Sequence, residues 1–529
     1  MPGIRRLAVD YTSRFAELAP FYAGDPLASG AWQDAIGRTQ RHRRDRAGLV
    51  SLLAAQQERR GAPPAARAAV QRLAGDTTVA VITGQQAGLF GGPLYTLLKA
   101  LTTIRLAEDV SRIHGTPAVP VFWIDSEDHD WDEVASTTVL DGESHPHVIS
   151  LPRPLTAGEV PVATVVLSED VTAAIGTLRA ALAETEFSAD LIDGLSRAYR
   201  PGVGMSDAFG RWLEHVLGPH GLIVFDCADP AAKPLVAGVF AHELSHPGTT
   251  AALAAKAGDA LAARGYHAQV EPHDGVALFH LAEGRQAIKL VDGRFIIGAR
   301  ACEPSALLAE ASTHPERFSP NVLLRPLVQD ALFPTVCYVA GPSELAYLGQ
   351  LREVYAHFGV PMPLIYPRQT ATVLDSAATR FLTRYGVALE ALQAQDEAEL
   401  NHLLEAQLPP GVEASLHDAS RAVEERMAAV IAAVPALDPT LEGAARSTLG
   451  RMTHDLRALH SKVIHAAKRR DETLRRQFHR AQVQAFPQGH LQERTLGFVY
   501  FLNRYGPVLV DILRRDIPLA PGAHWVVTP

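Results

Sequence analysis

The stretch VAVITGQQAGLFGGPLYTLLKA, Val79 to Ala100, decides the fold. Its first five residues are mostly β-branched and read as a strand. Four glycines follow within nine positions, Gly84, Gly88, Gly91 and Gly92, and apolar residues then recur at helical spacing. A strand that ends in a glycine-rich turn and feeds a helix offers backbone N–H groups and a positive helix end to an anion. The turn is not a Walker A loop, because the Lys-Ser/Thr pair is missing, nor a clean G-x-G-x-x-G fingerprint. What it offers is general. Gly84 permits a bend past the strand, Gly91 and Gly92 admit a ligand to the backbone, and Pro93 suits a first helical turn. The competing reading is a tight strand–helix turn whose glycines serve packing alone.

Working outward, the runs AVPVFWI, GLIVFD, YHAQV, TVCYVA and MPLIYP also read as strands, several of them apolar on both faces. Helical stretches such as PLYTLLKALTTIRLAEDV lie between them, so βαβ units with right-handed crossovers are expected. The fold class is therefore α/β with a buried parallel sheet over residues 76–375. Two β-rich insertions interrupt it, near 136–168 and 265–300; in the second, Glu283-Gly284 and Asp292-Gly293 signal hairpin turns. Residues 1–75 form an Ala/Arg-rich helical segment. After 376 the texture changes. Leu449, Met452, Leu456, Leu459, Val463 and Ala466 step by three and four, and Leu416, Val423, Met427, Val430 and Val434 form a matching stripe before them. PALDPT joins the two, giving an antiparallel helical coiled-coil arm over 376–485; it reads as a homodimer contact, the competing reading being an arm packed on its own core. Residues 486–529 hold a helix, broken near Gly506-Pro507, that docks back on the body.

Length and composition bound the class. A chain of 529 residues needs more than one structural unit. A net charge of −9 argues against a general nucleic-acid binder. The three cysteines, Cys227, Cys302 and Cys337, lack metal-type spacing. MPGIRRLAVDYTSRF builds no apolar signal-peptide core, and no run is long enough to span a membrane, which points to the cytoplasm.

Four further stretches place chemistry at strand ends. FWIDSEDHDWDE runs a strand carrying Trp123 into Asp125, Glu127, Asp128, His129, Asp130 and Asp132. Open α/β sheets bind ligands beyond the carboxyl ends of their strands, and crowded carboxylates raise one another's pKa. Such a group suits a base, a metal or an amine-bearing substrate, although solvated loop carboxylates would look the same. RFSPNVLLRPLVQDALFP spaces Asn321, Arg325 and Gln329 by four, one helical face. VAGPSELAYLGQL delivers Gly341, Pro342 and Ser343 to a helix start, with Ser343 the expected cap and Glu344 and Tyr347 on the first turn. LIYPRQTAT places Arg368 after one more strand.

Taken together and in this order, TGQQAGLFGGPLYTLLKA, FWIDSEDHDWDE, FSPNVLLRPLVQDALFPT, GPSELAYLGQL, PMPLIYPRQTAT and LQERTLGFVYFLNRYG resemble the bacillithiol-synthesis cysteine ligase family, BshC, over nearly the whole chain. The resemblance implies a Rossmann-type core akin to class I aminoacyl-tRNA synthetases, and a coiled coil that makes a dimer. It implies addition of cysteine to the amine of glucosaminyl-malate. By the synthetase parallel, ATP, with or without Mg²⁺, activates the cysteine carboxylate as an adenylate. ATP would lie over Gly84, Gln85, Gln86 and Gly88, its phosphates near Gly92-Pro93. Asp128 or His129 would deprotonate the amine, and Arg325 and Arg368 would hold carboxylates or phosphate. The chain departs from the synthetase pattern in lacking His-Ile-Gly-His, a Lys-Met-Ser-Lys-Ser loop and a Cys/His zinc cage.

Two other readings compete. FAHELSHPGTT contains His242-Glu243-x-x-His246, the zinc-hydrolase pattern, but Pro247-Gly248 puts the second histidine at a helix end and no clear third ligand follows, so Glu271 or His273 would have to serve. KRRDETLRRQFHR supplies Lys468, Arg469, Arg470, Arg475, Arg476 and Arg480, which suits a nucleotide-binding scaffold or a solvated helix face balanced by Asp471 and Glu472.

Overall fold

The computed structural model describes residues 6–154, 160–270, 275–282, 284–406, 410–470 and 472–529. Glu271, His273, Glu283 and Asp471 lie outside the described residues, as do the side chains of Lys468, Arg469 and Arg470. The chain divides into two compact units, Met1–Thr372 with Gln492–Val527, and Val373–Leu491. Residues 486–491 thus fall in the second unit, and the N-terminal segment belongs to the first.

The first unit is built on five parallel strands: β1 (Val79–Gln85), β2 (Ala118–Ile124), β3 (Ile223–Asp226), β4 (Thr335–Ala340) and β5 (Leu364–Pro367). All of β2 and all but the last residue of β1 are buried, as a sheet covered on both faces requires. Helix α1 (Leu94–His114) makes the first crossover. The spatial order is β5-β4-β1-β2-β3, so the chain walks outward from β1 to β3, then returns to lay β4 on the other side of β1. That is the doubly wound order, and its switch point lies between β1 and β4. Register places Gly84 beside Trp123 and Ala340 beside Pro367, so four strand ends meet along one rim.

The N-terminal helices cover both faces. Leu49, Leu52, Leu53 and Val70 share a core with Ala80, Ile82, Val119 and Val121. Trp32, Ala35 and Ile36 pack with Val79, Val81 and Val339 on the other side.

Two expected strand regions differ. YHAQV is not a strand; the backbone of its last two residues is bonded by one side chain, Gln350, whose Oε1 accepts from Gln269 N (3.2 Å) and Val270 N (3.1 Å) while its Nε2 donates to Val270 O (3.0 Å). The first insertion is a hairpin of 136–140 and 146–150; among the described residues of its later part are a short 3₁₀ turn, Val162–Thr164, and a bridge from Val166 to Gly204. The second is a five-stranded antiparallel sheet over 278–302 with 318–320. Asp292 (φ 49°) and Gly293 (φ 77°) turn its central hairpin, the left-handed pair a two-residue turn demands. In the C-terminal segment, Gly506 (φ 69°) separates helices Phe498–Tyr505 and Val508–Asp516.

The second unit is helical. Its long antiparallel hairpin pairs α6 (Pro410–Ala433) with α7 (Leu441–Arg470). Four helices of the first unit bear on its site: α2 (Ala237–Ser245), α3 (Arg325–Leu332), α4 (Pro342–Leu348) and α5 (Arg352–Phe358).

Candidate active site

The switch point holds a cleft in two adjoining compartments that share Asp125, Asp128, Val322 and Arg325. The inner one, about 300 Å³, lies over the ends of β1, β2 and β4; the outer one, about 790 Å³, is walled by the antiparallel insertion. Both fall in the size range of small-molecule sites.

Each strand end contributes. From β1 come Gly84, Gln85 and Gln86; from β2, Asp125 and Asp128; from β4, Gly341, Pro342, Ser343, Glu344 and Tyr347; from β5, Arg368. Gly84 lies in close approach to β2: a Cβ there would stand 3.1 Å from Trp123 O. Arg325, at the start of α3, reaches the Tyr347 hydroxyl (2.7 Å) and Asp125 (3.5 Å). Burial disfavours its charge, but Tyr347, Tyr338, Asp125 and Glu344 outweigh that and hold the guanidinium above its ordinary range. Burial also pushes Asp125 up, with Asp128 and Glu127 adding to it and Arg325 opposing. Asp125 is thus a better proton acceptor than an ordinary carboxylate, held against a fixed cation.

Several residues named from the sequence stand elsewhere. Gly88, Gly91 and Gly92 are buried packing positions, not a phosphate cradle. Gly91 (φ 99°) faces the Phe498 ring, Leu94 N donates to Leu496 O (2.8 Å), and Gly92 O accepts from Phe498 N (3.1 Å). The C-terminal segment therefore occupies the place assigned to phosphates near Gly92-Pro93. Trp123 is 2% exposed and packs against Phe225 and Phe333. Gln329 is buried and donates to Asp330; helix α3 begins only at Arg325, so Asn321 lies in the preceding turn, on the outer compartment. Glu127 is neutralised by buried Lys233 and bonded by Ser319 (2.9 Å), although it borders the outer compartment. Asp132 is 74% exposed and pairs with Arg153, while His129 stands beside Asp128 (3.2 Å) and Arg285 (3.0 Å) at the margin. Asp130 caps the short helix at Trp131. Ser343 lines the cleft but does not cap α4: Gly341 is the N-cap, and Glu344 reaches back to its N–H (2.7 Å). Arg368 is buried in a bidentate pair with Glu493 (2.6 and 3.0 Å).

Sequence reasoning missed Lys99, Tyr95, Glu133, Tyr338 and Arg494, all on the inner compartment. Lys99 donates to Gly84 O (2.7 Å) and pairs with Glu344 (2.5 Å). Burial lowers the Lys99 pKa with Glu344 opposing; burial raises Glu344, but Lys99 and the Tyr338 hydroxyl hold it below its usual range. One cation inside an otherwise apolar helical run was the signal available for Lys99.

The zinc-hydrolase reading is not favoured by this geometry. Glu243 is 1% exposed, bonded by Ala277 N (2.7 Å) and the Thr250 hydroxyl, and so is not free to activate water.

Comparison with known proteins agrees with this architecture. The model described as Bacillithiol biosynthesis BshC, N-terminal Rossmann-like domain, matches residues 2–369, and that described as Bacillithiol biosynthesis BshC, C-terminal coiled-coil domain, matches 371–529. A relative from Salinibacter ruber named "Putative cysteine ligase BshC" is 35% identical, with 98% of this chain and 96% of the relative covered. Relatives of the same name from Chlorobaculum tepidum (31% identical; 99% and 97% covered) and Koribacter versatilis (33%; 97% and 95%) are similar throughout. No helix among the described residues is long and apolar enough to cross a membrane. With a doubly wound sheet, a crevice at its switch point and end-to-end matches to both halves, the chain belongs to the BshC family.

Proposed function

We propose that this enzyme joins the carboxyl of cysteine to the amine of glucosaminyl-malate, with ATP as the activating co-substrate. Amide formation from a free carboxylate in water is uphill, so activation is required. ATP transfers AMP to the carboxylate and releases pyrophosphate; the amine then attacks, AMP leaves, and the nitrogen loses its proton. The observation that carries the reading is the Asp125–Arg325 pair where the two compartments meet. Asp125 holds the ammonium and takes its proton, while Arg325 faces the anionic carboxyl or phosphoryl oxygens. The proposed place for the nucleotide is the larger compartment, a reading supported by Arg285, stacked on Phe279 (3.9 Å), and Lys289, which line it and suit phosphates. Mg²⁺ would accompany the nucleotide there. The protein works in the cytoplasm as a homodimer joined through the helical hairpin.

Purified protein incubated with ATP, cysteine and glucosaminyl-malate should yield the coupled thiol by mass spectrometry, with AMP rather than ADP formed. Asp125→Asn should reduce turnover by at least about 100-fold, the scale of a lost acid–base group. A wild-type protein that folds and binds nucleotide but gives no coupled product would leave only the scaffold reading.

A further inference from the structure

The zinc-hydrolase motif fails as a hydrolase, yet its two histidines meet a third that lies far away in sequence. His242 and His246 are one helical turn apart at the end of α2, and His357 comes from the last turn of α5. Their ligand-capable atoms all lie within 4.8 Å of one another. His242 Nε2 and His357 Nε2 stand 3.2 Å apart. Two ligands about 2.0–2.1 Å from one tetrahedral zinc are about 3.3 Å from each other, so this pair already has the spacing of one edge of such a site. The rings of His246 and His357 are centred 5.2 Å apart, those of His242 and His246 4.4 Å.

The surroundings favour a ligand over chance crowding. His246 Nδ1 lies 3.0 Å from His242 O, so a proton on Nδ1 is held by a backbone carbonyl and Nε2 is left as the metal-facing nitrogen. That outer hydrogen bond is what usually orients a metal-bound imidazole. Phe358 packs on His242 (4.7 Å) and on His357 (5.3 Å), giving the cluster an apolar wall on one side. His246 is exposed, so the ion has an approach from solvent and room for a water as fourth ligand.

We propose that His242, His246 and His357 form a trihistidine site for a divalent d-block ion, Zn²⁺ or one of similar preference, which ties α2 to α5. Imidazole nitrogen donors select ions of this class over Mg²⁺ or Ca²⁺. The site is distinct from the cleft residues and independent of the ligase reading. With Glu243 committed to Ala277 and Thr250, it does not hydrolyse; its consequence is to hold two helices of the first unit together.

The test uses the full chain without an affinity tag rich in histidine. Equilibrium dialysis against Zn²⁺ with metal analysis should find one ion per chain, and Co²⁺ should give the visible absorption of a tetrahedral nitrogen site. His357→Ala should weaken binding by at least about 100-fold and abolish the Co²⁺ band. Zn²⁺ should raise the Tm of the wild type but not of His357→Ala. His246→Gln, at an exposed position that does not threaten folding, should also remove the band. His314→Ala, a change at an exposed histidine elsewhere, should leave binding intact. Absence of stoichiometric Zn²⁺ in the wild type, or retention of it in His357→Ala, would overturn the proposal. Because the readout is metal and not product, it fails or succeeds separately from the ligase assay.

Discussion

Lys99 is carried on the second turn of α1, with 3% of its side chain exposed, and its ammonium joins Gly84 O, Gln85 and Glu344. Removing one member of such a pair strands the other charge, whereas neutralising both does not. Lys99→Met is therefore expected to destabilise the protein by about 3 kcal/mol. The double variant Lys99→Met/Glu344→Gln should regain most of that in denaturant unfolding but not recover turnover, because the β1–β4 junction still lacks its cation. A double variant no more stable than Lys99→Met would show that the pair is not the source of the loss. Asp125 makes a second prediction at this scale. Its pKa is raised by burial and restrained by Arg325, and the amine needs its ionised form. Activity should thus fall away with acid above the usual aspartate range. Arg325→Gln, which removes the restraining charge, should move that acid limb to higher pH. An unmoved limb would assign it to another group.

Elements, by contrast, were legible where their burial is uniform. β1, β2 and β4 could be read because strands apolar on both faces belong only in a covered sheet, and the Asp292-Gly293 turn because its backbone has few alternatives. YHAQV misled because alternation reports which side chains are apolar, not which partner takes the backbone hydrogen bonds, and here the partner is the Gln350 side chain. The glycine turn misled for a related reason: glycine admits either a ligand or an aromatic ring, and Phe498 arrives from four hundred residues downstream. Gly91→Ala should therefore act on stability, not selectively on catalysis. The added Cβ would stand 2.2 Å from the Phe498 ring at a φ of 99°, and a loss of about 3 kcal/mol or more is expected in thermal or chemical unfolding. The Asn321/Gln329 spacing misled because a four-residue interval defines a face only inside the helix, and α3 starts at Arg325. That same helix carries Asp330, whose carboxyl burial pushes up to about 6, against hydrogen bonds from Tyr355 of α5 and Gln329. A carboxyl with a raised folded pKa binds its proton more tightly when folded. Its stabilisation is full below the ordinary aspartate pKa and fades as pH rises through about 6. Stability of the wild type relative to Asp330→Asn should accordingly fall by up to about 3 kcal/mol between pH 4 and 7. A pH-independent difference would exclude Asp330 as the titrating group.

For the whole molecule, the decisive feature is what the helical hairpin leaves uncovered. Helices α6 and α7 pack along each other, yet Val430, Met452 and Leu459, all members of the stripes read from the sequence, remain 43%, 39% and 48% exposed. Two antiparallel helices bury only the seam between them, so apolar positions flanking that seam offer a surface that a second copy could cover. Ile464, further along α7, is buried. A closed twofold dimer covers both copies with one self-complementary patch. Sedimentation equilibrium at micromolar protein should therefore return a dimer. Met452→Glu/Leu459→Glu should return a monomer with unchanged helicity by circular dichroism, since both side chains are exposed in the single chain. Because the cleft is built entirely from residues of the first unit, the monomeric variant should still bind nucleotide. A wild-type protein that stays monomeric, or a doubly charged variant that still dimerises, would remove the hairpin as the dimer contact.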